Sequence, residues 1–345
     1  MKSANIACVK KEDENMKRNL FLLLILVLCM ALVFTACGND EQAPPVDDDG
    51  EEGDEVVPTA WYDMVKVDWE EKTVDLDTGI TMAYMVCGPE DGTPIVLIHG
   101  ATDSRISWAQ VAPILAEKYR VYVPELRGHG NTDKPDPAEG AYTVDQHTQD
   151  IVAFLKAVGL EKANIAGHSL GSFIAQQLAV QAPDMVSTIT LIASGAVTTG
   201  NETLGWVYNG DGTDYLGVHG YDAEQAMPEG FLRDWTACTN EDADFCEAIY
   251  QHAAALPYAD WAYIFGGILE YDSSAQLAEI TCPVQIIWGT EDVIFSAEDE
   301  QALQDGLTSA ETVKFEQIEG ASHNTHWDSK AIASQVAGLI GDFAK

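Results

Sequence analysis

Strand-like and helix-like segments alternate along most of this 345-residue chain, from Val65 onward. Runs rich in β-branched and aromatic residues are followed by segments whose apolar residues recur at helical spacing. This alternation is typical of a mostly parallel β-sheet with helices on its faces, because parallel strands need a long crossover between them. It predicts strands over 81–86, 94–98, 120–123, 163–166, 188–192, 284–288 and 312–317, and helices over 108–118, 144–158, 170–181, 297–307 and 329–343.

The alternation stops between 197 and 278. Short helical pieces and many aromatic side chains replace it, and the segment falls between two predicted strands of one sheet. We therefore interpret 197–278 as an inserted, mainly helical cap. The core of the fold is then made of two parts, 61–196 and 279–345.

The predicted strand at 163–166 runs into Gly167-His168-Ser169-Leu170-Gly171, and a predicted helix follows directly. In a strand–turn–helix context, G-x-S-x-G holds the serine on a sharp turn, where the helix N-terminus favours developing negative charge. Ser169 is therefore the candidate nucleophile. His168 is too close to it along such a turn to act as its base, and we expect His168 to pack beside the pocket or line it.

A serine hydroxyl becomes a good nucleophile only when a histidine removes its proton and a carboxylate orients that histidine. Asp292 follows the predicted strand at 284–288, in a loop at the carboxyl end of the strand, where catalytic groups gather in such sheets. It is the candidate acid, with Glu291 as the alternative. His323 follows the last predicted strand and is the candidate base; we assign its neighbour His326 to the substrate pocket.

Two backbone N–H groups are needed to bind the oxyanion of an acyl-transfer reaction. One comes from the residue after the nucleophile, which is Leu170. The other is expected from Ala101, which follows the predicted strand at 94–98 and the pair His99-Gly100. We expect the His99 side chain to brace this loop and not to take part in the reaction.

Taken together, these motifs resemble the α/β-hydrolase superfamily from Trp61 to Lys345. His99-Gly100 is similar to the oxyanion-loop motif of that family, and Arg127-Gly128-His129-Gly130-Asn131-Thr132 resembles its R-G-x-G-x-S turn, with Thr132 in place of the serine. The resemblance implies an α/β-hydrolase fold and a structural role for His129. Branches of the family that cleave haloalkanes or epoxides have Asp at the position of Ser169, so the serine implies acyl chemistry.

The expected enzyme is a serine hydrolase that cleaves a carboxylic ester of a small, hydrophobic substrate through an acyl-enzyme. A lactonase, an amidase or a C–C bond hydrolase would use the same triad, and a catalytically silent, lipid-anchored binding protein is the alternative of another class. Trp235, among the aromatic residues of the cap, joins His168 and His326 as a candidate substrate contact. No cofactor is expected, and no Cys and His residues have the spacing of a zinc site.

The N-terminal region contains an unbroken apolar run over 20–34, preceded by Lys17 and Arg18. It is short for a membrane span but has the length of a signal-peptide core. The run leads into Phe34-Thr35-Ala36-Cys37-Gly38, which resembles the lipobox of bacterial lipoproteins and implies a lipid on Cys37. We predict a signal peptide over 1–36, with Met16 as an alternative start, and an extracytoplasmic enzyme anchored to a bacterial membrane; secretion or an uncleaved anchor helix are the alternatives.

Acidic residues dominate the rest of the chain. Residues 37–60 are rich in Asp, Glu, Gly and Pro and contain no Lys or Arg, which predicts a disordered tether. The net charge of −38, from 18 basic and 56 acidic residues, argues against nucleic acid as a partner. Cys238 and Cys246 could form a disulfide or remain free thiols, and nothing in the sequence indicates an oligomeric state.

Overall fold

The computed structural model describes residues 69–136, 140–210, 215, 217–220 and 227–345. These residues form an eight-stranded sheet whose strand order is β1-β2-β4-β3-β5-β6-β7-β8. β2 pairs antiparallel with β1 and with β4, and all other neighbours pair in parallel. The strands are β1 (Glu70–Asp75), β2 (Thr81–Cys87), β3 (Thr93–Ile98), β4 (Tyr119–Pro124), β5 (Ala163–His168), β6 (Val186–Ile192), β7 (Val284–Gly289) and β8 (Val313–Ile318).

Helices cover both faces of this sheet. Phe154 and Phe173 pack on one face from α2 (Val144–Ala157) and α3 (Leu170–Gln181), together with Leu303 of α8 (Ala297–Gly306). Val336 and Ile340 of α9 (Lys330–Phe343) pack on the other. Because both faces are covered, every residue of β5 and of β7 is buried. The predicted fold class, a mostly parallel sheet flanked by helices, is confirmed.

Two elements differ from the sequence-based predictions. The predicted helix over 108–118 is wrong: the chain forms a 3₁₀ turn, Arg105–Trp108, and a single helical turn, α1 (Ala112–Leu115). Pro113 can stand in the first turn of α1 but cannot lie inside a longer helix, because it has no N–H to donate. The edge strand β1 was not predicted, since its charged and largely exposed residues carry no strong apolar pattern.

The chain between β6 and β7 adds helices and no further strand to the sheet, within the described residues. These helices are α4 (Glu202–Asn209), α5 (Glu229–Trp235), α6 (Ala243–Ala255) and α7 (Tyr258–Leu269). They all lie inside the segment interpreted as a cap. Cys238 and Cys246, whose pairing the sequence left open, form a disulfide between α5 and α6 with their Cα atoms 5.4 Å apart.

The predicted signal peptide, the lipidation site at Cys37 and the acidic tether lie outside the described residues. They therefore stay predictions. In the part of the chain that the structure describes, none of the helices has both the length and the apolar character needed to cross a membrane.

Candidate active site

Ser169 occupies the turn between β5 and α3, and its backbone is in an unusual conformation, with φ 49° and ψ −116°. A non-glycine residue at positive φ is sterically strained and persists only where the surroundings impose it. Ser169, the predicted nucleophile, shares this feature with Thr102 and Ala193 among the described non-glycine residues. Ser169 lines an open cavity next to the helix N-terminus.

The two glycines of the motif make this turn sterically possible. A Cβ at Gly167 would lie 2.1 Å from the carbonyl oxygen of Gly171, and a Cβ at Gly171 would lie 2.2 Å from the carbonyl oxygen of Ile98. Both obstacles are backbone atoms, which cannot rotate away as a side chain could. The strand, the turn and the helix therefore pack more closely than any residue with a side chain would allow.

Asp292 and His323 are in direct contact. Nδ1 of His323 lies 2.9 Å from Oδ2 and 3.1 Å from Oδ1 of Asp292, so Nδ1–H donates to the carboxylate. With the proton on Nδ1, the Nε2 atom of His323 keeps its lone pair and can accept a proton. His323 lines the same cavity as Ser169.

Backbone amides also hold the Asp292 carboxylate. Ile294 and Phe295 donate their N–H groups to Oδ1 at 2.7 Å and 3.0 Å. Burial alone would raise the pKa of Asp292, but the His323 ring and these two amides outweigh it and hold the pKa below its usual value. Asp292 is therefore ionised at neutral pH, whereas the alternative acid, Glu291, is exposed.

A carboxylate that the sequence did not single out fixes the loop carrying His323. Asp328 accepts hydrogen bonds from the backbone N–H of Ser322 and, at 2.6 Å, from its hydroxyl. Ser322 Oγ in turn accepts from the N–H of Asn324 at 3.1 Å. The residues on both sides of His323 are thus held through the side chains of Asp328 and Ser322.

His168 connects the nucleophile turn with the His323 loop. Its Nε2–H donates to the carbonyl oxygen of His323 at 3.0 Å, and its ring lies beside the cavity. His326 was expected to line the pocket, and this expectation was wrong. It is fully buried behind the cavity, its ring centroid 4.3 Å from that of His168 and 4.4 Å from that of Trp108.

One group of side chains in the described part of the chain could hold a metal ion. Candidate ligand atoms of Asp103, His168 and His326 lie within 4.8 Å of one another. Burial, and then the neighbouring histidines, hold the pKa of His326 well below its ordinary value, so the ring is neutral and able to ligate. The spacing of these residues along the sequence does not reveal the group.

The loop after β3 forms the next part of the cavity wall, and Ala101 lies in it. The N–H of Thr102, at φ 64°, donates to Nε2 of His129 at 3.1 Å. His99 braces the base of the loop: its Nδ1–H donates to the Gly100 carbonyl at 2.8 Å, and its Nε2 accepts from the N–H of Leu126 at 3.0 Å. Leu170 is the first residue of α3, where a backbone N–H has no partner within its own helix.

The cavity has a volume of about 310 Å³, and side chains from the segment between β6 and β7 form much of its wall. Trp235 is one of them. Its indole N–H donates to the Thr102 hydroxyl at 2.8 Å, which ties α5 to the loop of Ala101. The aromatic rings of Trp206, Phe231 and Phe265 extend this apolar wall.

A family model described as the alpha/beta hydrolase fold matches residues 93–330. The chain belongs to the α/β-hydrolase family. It is 36% identical over 120 residues to an uncharacterized protein of Mycobacterium tuberculosis, an alignment that spans 35% of this chain and only 34% of that relative. It is 28% identical over 264 residues to the 2-hydroxymuconate semialdehyde hydrolase of a Pseudomonas species, covering 73% of this chain and 87% of the relative.

Among solved structures, this α/β-hydrolase is similar in fold to the enol-lactonase from Burkholderia xenovorans. The TM-score is 0.64 at 20% identity, and the match covers 79% of this chain and 99% of the lactonase. Such a similarity concerns the fold. It agrees with the match to the family model.

Proposed function

We propose that this α/β-hydrolase is a serine hydrolase that cleaves carboxylic esters of small, hydrophobic acyl compounds through an acyl-enzyme. The observation that carries the proposal is the contact of His323 with Asp292 beside the same cavity that Ser169 lines. An ordered carboxylate, a histidine with one free nitrogen and a strained serine are the parts that acyl transfer requires.

In the proposed reaction, Nε2 of His323 takes the Ser169 proton while Oγ attacks the ester carbonyl. The resulting oxyanion accepts hydrogen bonds from the N–H groups of Ala101 and Leu170. The C–O bond then breaks, His323 gives its proton to the leaving alcohol, and the acyl group remains on Ser169. Water, deprotonated by His323, releases the acid and restores the enzyme.

The Asp292 carboxylate has two roles in this scheme. It holds His323 in the tautomer with the proton on Nδ1, and it stabilises the imidazolium that forms when Nε2 takes up the serine proton. Its lowered pKa keeps it charged at neutral pH. Glu291 is exposed and does not contact His323, so it can fill neither role.

The test is hydrolysis of short-chain p-nitrophenyl esters and labelling by a fluorophosphonate probe, before and after dialysis against EDTA. We expect wild-type activity in both cases, and a loss of about 10⁴-fold or more in kcat with no labelling for Ser169→Ala. Ser309→Ala, at an exposed serine, is the matched control. Labelling that persists in Ser169→Ala would overturn the assignment, and loss of activity with EDTA would bring Asp103, His168 and His326 into the mechanism.

C–C bond hydrolysis is the second candidate, because a relative that aligns with 73% of this chain is a semialdehyde hydrolase of that kind. It would use the same serine, histidine and aspartate. Assays of esters and of C–C bond substrates, carried out side by side, separate the two functions. Inertness towards esters, lactones, amides and C–C substrates alike, with no probe labelling, would instead favour a silent binding protein.

We further propose that the enzyme is exported and held on a bacterial membrane by a lipid on Cys37, with the acidic segment 37–60 as a tether. The apolar run and the lipobox-like residues support this proposal. Cys37→Ser should move the protein from the membrane fraction to the soluble fraction with unchanged ester hydrolysis. Cys29→Ser, within the apolar run, should remain on the membrane; equal fractionation of both variants would count against lipidation.

A further inference from the structure

The charged side chains that line the active-site cavity all carry negative charge. They are Asp103, Asp234 and Glu291, and no Lys or Arg lines the cavity within the described residues. Asp103 is partly buried in the loop that follows Ala101, whereas Asp234 and Glu291 are exposed. The cavity therefore carries negative charge in its interior, at Asp103, and at its rim, at Asp234 and Glu291.

Two arginines are close in sequence to carboxylates that line the cavity, Arg105 to Asp103 and Arg233 to Asp234. Both lie beside other carboxylates, which do not line the cavity. Arg105 contacts the carboxylates of Glu71 and Glu125 at 2.5 Å each. Arg233 is exposed and lies near Glu229 and Glu247, at 3.3 Å and 3.4 Å, with its guanidinium 3.8 Å from the centroid of the Tyr250 ring. Arg233 is also the only Lys or Arg between 197 and 278, so the segment over the cavity has no other cation to offer.

The remaining wall is largely apolar and aromatic. Trp206, Phe231, Trp235 and Phe265 line it, with aliphatic residues between them. A carboxylate placed against such a wall loses its hydration without gaining a cationic partner. An uncharged acyl chain loses little there, and a quaternary ammonium group can in addition contact the faces of the aromatic rings.

We propose that this cavity selects against negative charge on the acyl group: it accepts uncharged or cationic acyl compounds and rejects those that carry a carboxylate. The inference rests on the proposed function, because it concerns the substrate of the same serine.

The test compares three p-nitrophenyl esters whose acyl chains differ mainly in terminal charge. These are the valerate, the glutarate monoester and the 4-(trimethylammonio)butyrate, with kcat/KM measured at low ionic strength. We expect the glutarate to be hydrolysed about 100-fold less efficiently than the valerate, and the cationic ester at least as efficiently. A glutarate value within about 3-fold of the valerate value would overturn the inference, since charge effects of this kind exceed that range.

A pair of variants tests whether these carboxylates are responsible. In Asp234→Asn combined with Glu291→Gln, the ratio of glutarate to valerate kcat/KM should rise about 5-fold, because two repulsive charges near the entrance are removed. Glu270→Gln, an exposed charge outside the cavity wall, should leave the ratio unchanged. Equal ratios in both variants would overturn the assignment to these carboxylates. No hydrolysis of the valerate by the wild type would refute the proposed function itself and is a distinct result.

Discussion

The cavity has two walls, and they are built in different ways. The wall that carries Ser169 is fixed by backbone atoms, through close approaches at two glycines and amide hydrogen bonds to Asp292. The opposite wall is formed by aromatic side chains, one of which, Trp235, bonds to the facing loop through its indole. The proposed chemistry thus depends on backbone geometry that few substitutions can preserve. The proposed selectivity depends on side chains that can change while the fold remains.

The largest effect should follow from a change to the backbone-fixed wall that leaves its shape intact. In Asp292→Asn, the amide cannot stabilise the required tautomer or the charged imidazolium, and we expect kcat to fall about 10⁴-fold. Glu291→Gln should cost less than about 10-fold, because Glu291 does not contact His323. Steady-state kinetics on an uncharged ester measures both. A larger loss in Glu291→Gln would reverse the choice of acid.

The same contrast predicts opposite effects of Gly→Ala in the two walls. Gly171→Ala places a Cβ 2.2 Å from the Ile98 carbonyl oxygen and should lower the free energy of unfolding by about 3 kcal/mol or more. Gly205→Ala, in helix α4, adds a methyl group to a position with nothing within 4 Å, and should raise the free energy of unfolding by about 0.5–1 kcal/mol. Urea denaturation measures both values. Similar losses in the two variants would remove the distinction.

A buried carboxyl group in helix α8 gives the stability of the fold a pH dependence of its own. Burial, and then the charge of Asp292, raise the pKa of Glu300 to about 9. In the unfolded chain this group loses its proton near pH 4.5, so its contribution to stability is complete below that pH and declines as the pH rises towards 9. Between pH 5.5 and 7 the loss should be about 2 kcal/mol.

Glu300→Gln removes this titration. The wild type should lose about 2 kcal/mol in free energy of unfolding between pH 5.5 and pH 7, and the variant should not. The difference between them should therefore grow by about 2 kcal/mol over this range, measured by urea denaturation at each pH. Glu298→Gln, at an exposed position of the same helix, should follow the wild-type pH dependence. If the free energy of unfolding changes with pH by the same amount in Glu300→Gln and in the wild type, Glu300 does not have a raised pKa.

The smallest effect should come from the side-chain wall. Trp235→Phe keeps the aromatic ring but loses the hydrogen bond to Thr102, which should lower stability by about 1 kcal/mol. KM for an uncharged ester should rise more than kcat falls, because the ring lines the cavity and has no part in the proposed proton transfers. Trp206→Phe is the comparison variant, because Trp206 also lines the cavity but is 43% exposed. If kcat of Trp235→Phe falls while KM stays constant, Trp235 acts in the reaction together with the backbone-fixed wall and not in substrate binding.

The fold was predictable from the sequence where local pattern and tertiary environment agree. The buried strands and helix α3 have the composition and periodicity of their final structure. β1 was missed because its strand conformation comes from pairing with β2, while its own residues are charged. The helix predicted over 108–118 failed at Pro113, where a local backbone rule outweighed apolar spacing.

The candidate site divides in a similar way. Ser169, Asp292 and His323 each stand in a recognisable loop after a strand, and the topology brings those loops together. Asp103 and the burial of His326 depend on contacts between loops that are far apart in sequence. Asp328 contacts Ser322 within one loop, but no local motif marks it. The choice between Asp292 and Glu291 likewise requires knowing which of two adjacent carboxylates turns inward.

The hydrogen bond from His168 to the His323 carbonyl has a consequence for protein engineering. It joins the residue before Ser169 to the main chain of His323, across 155 positions of sequence. Grafting either loop alone onto another scaffold would leave a buried ring nitrogen or a carbonyl group unsatisfied. The two loops should therefore be transplanted, recombined or randomised as a single unit.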